Sequence, residues 1–245
     1  MTDTNALGQP IGPIVRDWSP PPRPVRVTLD GRYCRLEPLD VERHAAALFA
    51  ANALDVDGRN WTYLFNGPFE TFEPYREWVA QAAAGSDPLF FAIVDVRSGE
   101  AVGVASYLRI DPANGVIEVG HINYSPRLQR SPAATEAMYL MARHVFDLGY
   151  RRYEWKCNAL NAPSRRAAVR YGFSFEGIFR QAVIVKGRNR DTSWYAMLDA
   201  DWPGIRAAFE QWLAPENFDA AGTQRVALGT LTARYLHHEV IEAVQ

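Results

Sequence analysis

The stretch VIEVGHINYSPRLQRSPAATEA (residues 116–137) decides the fold of this chain. It reads as a strand of alternating apolar residues, then a loop of small polar side chains, then the start of an amphipathic helix. A strand that leads through such a loop into a helix gathers free backbone N–H groups at the positive end of the helix dipole. This arrangement is typical of proteins that hold a phosphate-bearing cofactor.

A second polar helix start follows the next strand-like segment, RYEWKC (residues 152–157). The helix predicted over Asn161 to Tyr171 opens with Asn and Ser and ends at Gly172. Two helix starts joined by one strand indicate a ligand with a long polar arm.

Working outward, turns and periodicity predict the remaining elements. Three consecutive strands with short turns indicate an antiparallel meander, and the helix after it carries an apolar stripe that should lie on the sheet. The predicted strands are Tyr33–Leu39, Leu89–Val96, Ala101–Ile110, Gly115–Tyr124, Arg152–Cys157, and a closing hairpin of Phe173–Phe179 with Ala182–Leu198, the latter interrupted by KGRNRD (residues 186–191). The predicted helices are Asp40–Asn52, Glu73–Ala84, Ala133–Leu148 and Asn161–Tyr171.

Composition limits the class of protein. The 245 residues are 48% hydrophobic, enough to bury a full core, and the net charge of −2 argues against a nucleic-acid partner. The N-terminus does not resemble a signal peptide and no apolar run is long enough to span a bilayer, so we expect a cytoplasmic protein with no membrane partner. The basic run Lys186, Arg188 and Arg190 is interpreted as a solvated hairpin tip. Cys34 and Cys157 lack nearby His, so we expect buried thiols and no metal site.

Proline content divides the chain. Six of the sixteen prolines fall between Pro10 and Pro24, so residues 1–24 are predicted to form an extended proline-rich arm. We assign residues 25–200 to the main domain and residues 201–245 to a helical C-terminal extension. The arm and the extension would suit a homodimer.

Two motifs carry a resemblance to a known family. The first is the run Gln129 to Ala134, followed by Thr-Glu-Ala, and the second is Asn161-x-x-Ser164, followed by Tyr-Gly-Phe. Together with the element order, they resemble the GNAT superfamily of acyl-CoA N-acyltransferases, over roughly Val25 to Leu198. Within it, the chain is most similar to the branch of ribosomal-protein N-terminal acetyltransferases and their small-amine relatives.

The resemblance implies a fold and an activity. The implied fold is α+β in three layers, with a mixed, mostly antiparallel central sheet of about seven strands flanked by helices. The implied activity is direct transfer of an acetyl group from acetyl-CoA to a primary amine, on a small molecule or a protein N-terminus, without a covalent intermediate or a metal. A competing hypothesis is a catalytically weak acyl-CoA-binding module for sensing or assembly. A nucleotide-binding P-loop or dinucleotide fold is set aside because its glycine motifs are missing.

By the same resemblance, acetyl-CoA binds along the end of one strand and both helix starts. The implied residues are Ile122, Asn123 and Tyr124 for the pantetheine, Gln129, Arg130, Ser131, Ala133 and Ala134 for the pyrophosphate, and Asn161 and Ser164 for the pantetheine and the thioester sulfur. Pro132 replaces the family's usual glycine, which is tolerable at the first helical position with Ser131 as the cap. Ala168 stands where many members carry a tyrosine that protonates the departing thiolate.

The acceptor amine must lose a proton before it attacks a thioester, so a base beside it is useful. Glu118 lies where this branch has an acidic residue and is the first candidate base, and Ser164 is the candidate relay or acid to the thiolate. The alternatives are a surface carboxylate for Glu118 and a core or edge histidine for His121.

Three residues are candidates for contact with the acceptor. Strand alternation predicts that His121 faces away from Glu118 unless a bulge intervenes. Trp61 and Tyr63, in the aromatic segment RNWTYLFNGPF (residues 59–69), are predicted to line the acceptor pocket, where an aromatic wall would suit a cationic amine. Aromatic residues of this segment, Phe65 and Phe69 among them, are otherwise expected in the core.

Overall fold

A computed structural model describes residues 3–237, and its elements follow the sequence pattern closely. The strands are β1 (Asp3–Thr4), β2 (Pro10–Ile11), β3 (Leu29–Asp30), β4 (Cys34–Pro38), β5 (Leu89–Asp95), β6 (Ala101–Asp111), β7 (Val116–Tyr124), β8 (Arg152–Asn158), β9 (Ser174–Val185) and β10 (Arg188–Leu198). The α-helices are α1 (Val41–Asn52), α2 (Phe72–Ala84), α3 (Pro132–Asp147), α4 (Ala162–Arg170), α5 (Trp202–Leu213) and α6 (Leu228–Thr232).

The main sheet has eight strands in the order β3-β4-β5-β6-β7-β8-β10-β9. Neighbouring strands are antiparallel except β7 and β8, which run parallel because α3 crosses between them. The predicted α+β fold with a mostly antiparallel sheet is therefore confirmed. The sheet exceeds the predicted seven strands because the two-residue strand β3 pairs with the edge of β4.

Local capping explains where three of the helices begin. The Asp40 carboxylate accepts the amide N–H of Arg43 at 2.8 Å. The Ser131 hydroxyl accepts the amide of Ala134 at 3.1 Å, ahead of a proline at the first position of α3, where no N–H is needed. The side chain of Asn161 caps α4 in the same way. These starts were predicted to within one residue.

Helices cover both faces of the sheet. One apolar cluster joins the sheet to α3 and α5 and includes Met141, Val145 and Phe209, and the other joins it to α1 and α2 and includes Leu48 and Val79. The predicted helical extension begins with α5, whose apolar side chains Ile205, Ala208, Phe209 and Trp212 pack into the larger cluster. The domain limits at residues 24 and 200 stay predictions.

The glutamate of the Thr-Glu-Ala sequence ties α3 to the sheet. Glu136 is 5% exposed, and its carboxylate accepts the amide N–H groups of Tyr33 at 2.6 Å and Cys34 at 2.8 Å. The buried charge is therefore satisfied by backbone donors. Cys34 and Cys157 are both buried and free, as predicted.

The N-terminal arm lies over the surface and is extended apart from the small β1–β2 hairpin. The Trp18 indole donates to the carbonyl of Ala113 at 3.1 Å, and Arg23 donates to the carbonyl of Ile110 at 2.9 Å. These bonds hold the arm against the turn between β6 and β7. Residues 1–2 of the predicted arm and 238–245 of the predicted extension lie outside the described residues.

The closing hairpin corrects the sequence interpretation. β9 continues to Val185 and β10 begins at Arg188, so the tip is only two residues long. Lys186 and Arg188 are exposed at this tip, as predicted, although the Lys186 ammonium donates to the carbonyl of Trp61 at 2.8 Å. Arg190 departs from the prediction, because it is only 9% exposed. Gly187 and Asn189 suggested a longer loop, whereas strand pairing carries Arg190 onto the sheet. Within residues 3–237, no helix is both long and apolar enough to cross a membrane.

Candidate active site

The centre of the sheet splits into a wedge. β7 and β8 pair only as far as Val119 and Trp155, although both strands continue beyond these residues. The pairing of β6 with β7 skips a residue at the same level, and His121 there adopts a φ of 49°. This bulge bends β7 away from β8 and leaves the facing backbone groups without a strand partner.

A cleft of about 1450 Å³ opens at the wedge. It is bounded by β7, β8 and β10, the loop before α3, the start of α4 and part of the C-terminal segment, by which we mean the described residues from 201 onward. Seven cationic side chains line it, and Glu118 is the only carboxylate among the described lining residues. The cations are Arg59, Arg109, Arg130, Lys156, Arg166, Arg170 and Arg190. Such a surplus of positive charge favours an anionic ligand.

The loop before α3 forms one anion-binding end of the cleft. The Ser131 hydroxyl donates to the carbonyl of Leu128 at 2.6 Å while capping the helix, which fixes the first turn. Arg130 has a left-handed φ of 58°, and within residues 3–237 its amide and that of Ser131 have no protein acceptor. These N–H groups are available to a phosphate. Ala134 lines the cleft, whereas Ala133 is buried beneath it.

Gln129 connects this loop to the end of β7. Its amide nitrogen donates at 2.8 Å both to the side-chain oxygen of Asn60 and to the carbonyl of Tyr124. Asn60 also donates to the Tyr124 carbonyl at 3.2 Å. Gln129 therefore holds the loop in place as well as lining the cleft.

The start of α4 forms the opposite side of the wedge. Asn161 accepts the amide of Ser164 at 3.1 Å and so is committed to capping. The Ser164 hydroxyl accepts the indole N–H of Trp155 at 3.1 Å, which leaves its own proton free to donate. Sequence reasoning did not anticipate the role of Trp155 in orienting this hydroxyl.

The end of β7 supplies the third wall, because Ile122, Asn123 and Tyr124 all line the cleft. Asn123 is 3% exposed, and neither polar atom of its side chain has a partner within the described part of the chain. A buried amide without partners is rare in folded proteins. It marks a place where a ligand can supply both a donor and an acceptor.

Glu118 is 4% exposed, so it is not a surface carboxylate. One carboxylate oxygen accepts from Arg109 at 2.6 Å and from Lys156 at 2.9 Å. Lys156 also pairs with Glu154 at 2.6 Å, and its ammonium lies 3.7 Å from the centre of the Trp194 ring. Glu118 thus stands at one end of a buried charge network.

His121 lines the cleft because the bulge breaks the strand alternation. Its Nδ1 lies 3.0 Å from the Ser106 hydroxyl, which donates to the carbonyl of Gly120 at 3.2 Å. When the one hydroxyl proton is directed to Gly120, Nδ1 carries the proton of the shared bond and Nε2 keeps its lone pair. Burial, together with Arg109 and Arg190, lowers the pKa of His121. The imidazole is therefore neutral near neutral pH.

The two aromatic residues predicted to line the acceptor pocket have different positions. Tyr63 lines the cleft, and its hydroxyl donates to the carbonyl of Leu160 at 3.2 Å. Trp61 is 5% exposed, and its ring packs edge-on against Phe69 and Tyr75. The short 3-10 turn at residues 59–61 directs this ring into the core. Trp61 therefore supports the cleft from behind and does not form its wall.

Two residues that sequence reasoning did not place in the cleft complete this wall. Phe65, expected in the core, is 49% exposed and lines the cleft. The guanidinium of Arg190 lies 5.2 Å from the centre of its ring. The basic run between two β-prone segments was the available signal for Arg190, but the register that buries it could not be read from the sequence.

The C-terminal segment reaches the far end of the cleft. Arg170 of α4 donates to the Thr135 hydroxyl at 3.1 Å, and its guanidinium lies 5.0 Å from the centre of the Trp212 ring. The segment contributes Trp212, Phe218, Gly222 and Gln224 to the lining. In residues 3–237, no group of three or more His, Cys, Asp or Glu side chains is arranged to hold a metal ion.

Comparison with known proteins adds a sequence match. A model of the acetyltransferase (GNAT) domain matches residues 34–174. The ribosomal-protein-serine acetyltransferase of Escherichia coli (strain K12) is 30% identical over 103 residues, which are 42% of this chain and 57% of that protein. The chain spans less than two thirds of the length of the curated relatives that it matches.

Solved structures are similar over more of the chain. A GCN5-related N-acetyltransferase from Brucella melitensis is 50% identical with a TM-score of 0.88, over 89% of this chain and 100% of that one. A probable acetyltransferase (GNAT family) from Chromobacterium violaceum ATCC 12472 is 42% identical with a TM-score of 0.74, over 80% and 98% of the two chains. The matched domain includes the split strands and both helix starts, and the chain belongs to the GNAT acetyltransferase family.

Proposed function

We propose that the protein is an acetyl-CoA-dependent N-acetyltransferase that acts on a primary amine of a small molecule or a protein N-terminus. The observation that carries this proposal is the basic wedge between β7 and β8, bounded by the starts of α3 and α4. In the reaction, the amine nitrogen bonds to the acetyl carbon and gives up a proton, the carbon–sulfur bond breaks, and the departing thiolate takes up a proton, so that the products are an amide and CoA with a free thiol.

The cleft residues suit each part of the donor. The free amides of Arg130 and Ser131, at the positive end of α3, suit the pyrophosphate. The unpartnered side chain of Asn123 suits an amide of the pantetheine arm, because a buried amide needs both a donor and an acceptor. Pro132 supplies one N–H fewer than a glycine would, and Ala133 acts only as packing beneath the loop.

We assign proton uptake from the amine to His121 in preference to Glu118. If Glu118 took a proton, Arg109 would lose its carboxylate partner and the buried Lys156 would keep only Glu154 as a counter-charge. His121 is neutral and keeps a free lone pair on Nε2, so it accepts a proton without disturbing an ion pair. Glu118 then acts as a positioning residue for the two cations.

Residues on the β8 and α4 side of the wedge assist the departure of the thiolate. Ser164 keeps its hydroxyl proton free and donates a hydrogen bond to the leaving sulfur. It thereby takes the role of the tyrosine that many family members carry at the position of Ala168. Burial raises the pKa of the Cys157 thiol in the cleft, which disfavours a thiolate nucleophile. This supports direct transfer without an acyl-enzyme.

Release of CoA tests the proposal. Purified protein is incubated with acetyl-CoA and a panel of small amines and short peptides, and free thiol and acetylated product are measured. We expect thiol release that depends on the amine, with the acetyl group on nitrogen. Tight acetyl-CoA binding by calorimetry with no turnover for any amine would instead favour a sensing or assembly module, for which Pro132 and Ala168 are the sequence arguments.

Other parts of the proposal concern the setting of the enzyme. We expect it to act in the cytoplasm, without a nucleic-acid or membrane partner and without a metal. The extended arm and the C-terminal segment would suit a homodimer. Light scattering of the full chain measures its mass in solution and so shows whether it forms a homodimer.

A further inference from the structure

A row of polar side chains on β10 faces the cleft and has no ligand group assigned to it above. Arg190, Thr192 and Trp194 alternate along the strand, so they share one side of the sheet, and all three line the cleft. Each has a buried polar atom without a partner in residues 3–237, namely Arg190 Nε, Thr192 Oγ1 and Trp194 Nε1. Three such atoms in one row indicate a ligand with complementary groups.

The chemistry of this row selects the ligand group. Guanidinium and indole nitrogens only donate hydrogen bonds, so the ligand must present acceptors, which an oxygen-rich group does. Arg190 is more than nine-tenths buried, and no carboxylate within residues 3–237 forms an ion pair with it. Burial also lowers the pKa of its guanidinium, as expected for a cation that lacks a close counter-charge.

The missing negative charge does not come from the cleft wall. Glu118 is the only carboxylate among the lining residues described, and it is held by Arg109 and Lys156. A ligand that brings its own carboxylate would satisfy Arg190 in the bidentate geometry that a guanidinium favours.

The position of Arg190 indicates that it contacts the acceptor and not the phosphates of the donor. Its guanidinium lies over the Phe65 ring, and the centre of that ring is 6.4 Å from the centre of the His121 ring. Arg190 is therefore next to the residue to which we assign the amine proton. The free amides that suit the donor phosphates belong instead to the loop before α3.

We propose that Arg190, with Thr192 and Trp194, binds a carboxylate of the acceptor, so that the substrate is an amine that also carries a carboxylate, such as an amino acid or a short acidic peptide. This inference rests on the proposed transferase function and names its substrate class. One ligand would then place its amine at His121 and its carboxylate at Arg190.

Matched acceptor pairs test the proposal. Amino acids and short peptides are compared with the corresponding amides, in which the carboxylate charge is removed, with acetyl-CoA at saturation. We expect the carboxylate forms to have higher kcat/KM by about tenfold or more, the range of a hydrogen bond between charged groups. Binding of the same compounds to the CoA-bound protein is measured in parallel by calorimetry.

The variant Arg190→Gln should remove this preference. We expect KM to rise for the carboxylate acceptors relative to the amides, so that the ratio of the two kcat/KM values falls towards one, with acetyl-CoA affinity preserved. Arg188→Gln is the matched control, because Arg188 is on the same strand but exposed and outside the cleft lining. Arg190→Lys keeps the charge and should restore part of the preference if the glutamine variant folds poorly.

Each alternative result has a distinct meaning. Turnover with equal use of acids and amides would overturn the carboxylate site and leave the transferase function standing. Carboxylate-dependent binding without CoA release would contradict the transferase function and leave the site standing. If Arg190→Gln impairs use of succinyl-CoA but not of amino acids, the carboxylate belongs to the acyl group, and the acceptor assignment is wrong.

Discussion

At the scale of single residues, three features of His121 matter: it lies in a β-bulge, its ring is buried, and one of its ring nitrogens is free to accept a proton. The left-handed φ of 49° turns its ring into the cleft, and the Ser106 hydroxyl fixes the proton on Nδ1. A left-handed conformation is uncommon for residues other than glycine, although asparagine, aspartate and histidine adopt it more often than the rest. Strained backbone of this kind persists where surrounding contacts enforce it, often at functional sites.

Replacing His121 should change the pH profile of the enzyme. Because the pKa of His121 is lowered from its ordinary 6.5, the neutral base persists below pH 6.5, and the acid limb of kcat/KM should lie there. His121→Gln should lower kcat by about 10²-fold, the lower range for general-base catalysis, and remove that limb. An acid limb that remains in the variant would show that another group takes the proton. Steady-state kinetics from pH 5 to 9 make the measurement.

Glu118→Gln should affect stability as well as rate. The substitution leaves Arg109 and the buried Lys156 less compensated, which should lower the free energy of unfolding by about 3 kcal/mol. The acid limb in the pH profile should persist, because His121 is unchanged. Glu100→Gln, which breaks an exposed pair with Arg127, is the control and should cost about 0.5 kcal/mol or less. Denaturant titration compares the two, and equal effects would contradict the buried network.

At the scale of elements, the first turn of α3 should couple stability to donor binding. Ser131→Ala removes a cap worth about 1 kcal/mol and also loosens the loop that presents the free amides. Asp40→Ala removes an equivalent cap from α1, away from the cleft. We expect similar losses of stability, but weaker acetyl-CoA binding only for Ser131→Ala. Equal acetyl-CoA affinities in calorimetry would rule out a donor site at this loop.

The elements also show what the sequence could predict. Caps act within four residues of chain, so Asp40, Ser131 and Asn161 were identified from local chemistry. The sequence indicated only that His121 would face away from Glu118 unless a bulge intervened, because the bulge depends on pairing with β6. The burial of Arg190 depends on the register of β10 with two neighbours and was missed. The parts of the site formed by residues close in sequence were thus predictable, and the parts that depend on the pairing of distant strands were not.

At the scale of the whole molecule, the C-terminal segment extends the cleft beyond the matched domain. Arg170 stacks between the rings of Tyr171 and Trp212 at its far end, which would suit the nucleotide of the donor. Arg170→Gln should raise KM for acetyl-CoA about tenfold, as for loss of a charged contact, and leave acetyl-pantetheine unaffected. Arg206→Gln, on α5 and outside the cleft lining, is the control. Equal effects on both donors would place the nucleotide elsewhere.

The short contact between β7 and β8 has a mechanical consequence. Only four residue pairs join these strands, so the sheet consists of two halves held by a narrow bridge. A ligand lying in the split spans both halves and supplies the interstrand bonds that the backbone leaves open. Amide hydrogens of β7 beyond Val119 that face β8, and not β6, should therefore exchange rapidly in the free protein and slowly in the bound one. Ligand binding would thereby complete the sheet and turn two half-sheets into one cooperative unit.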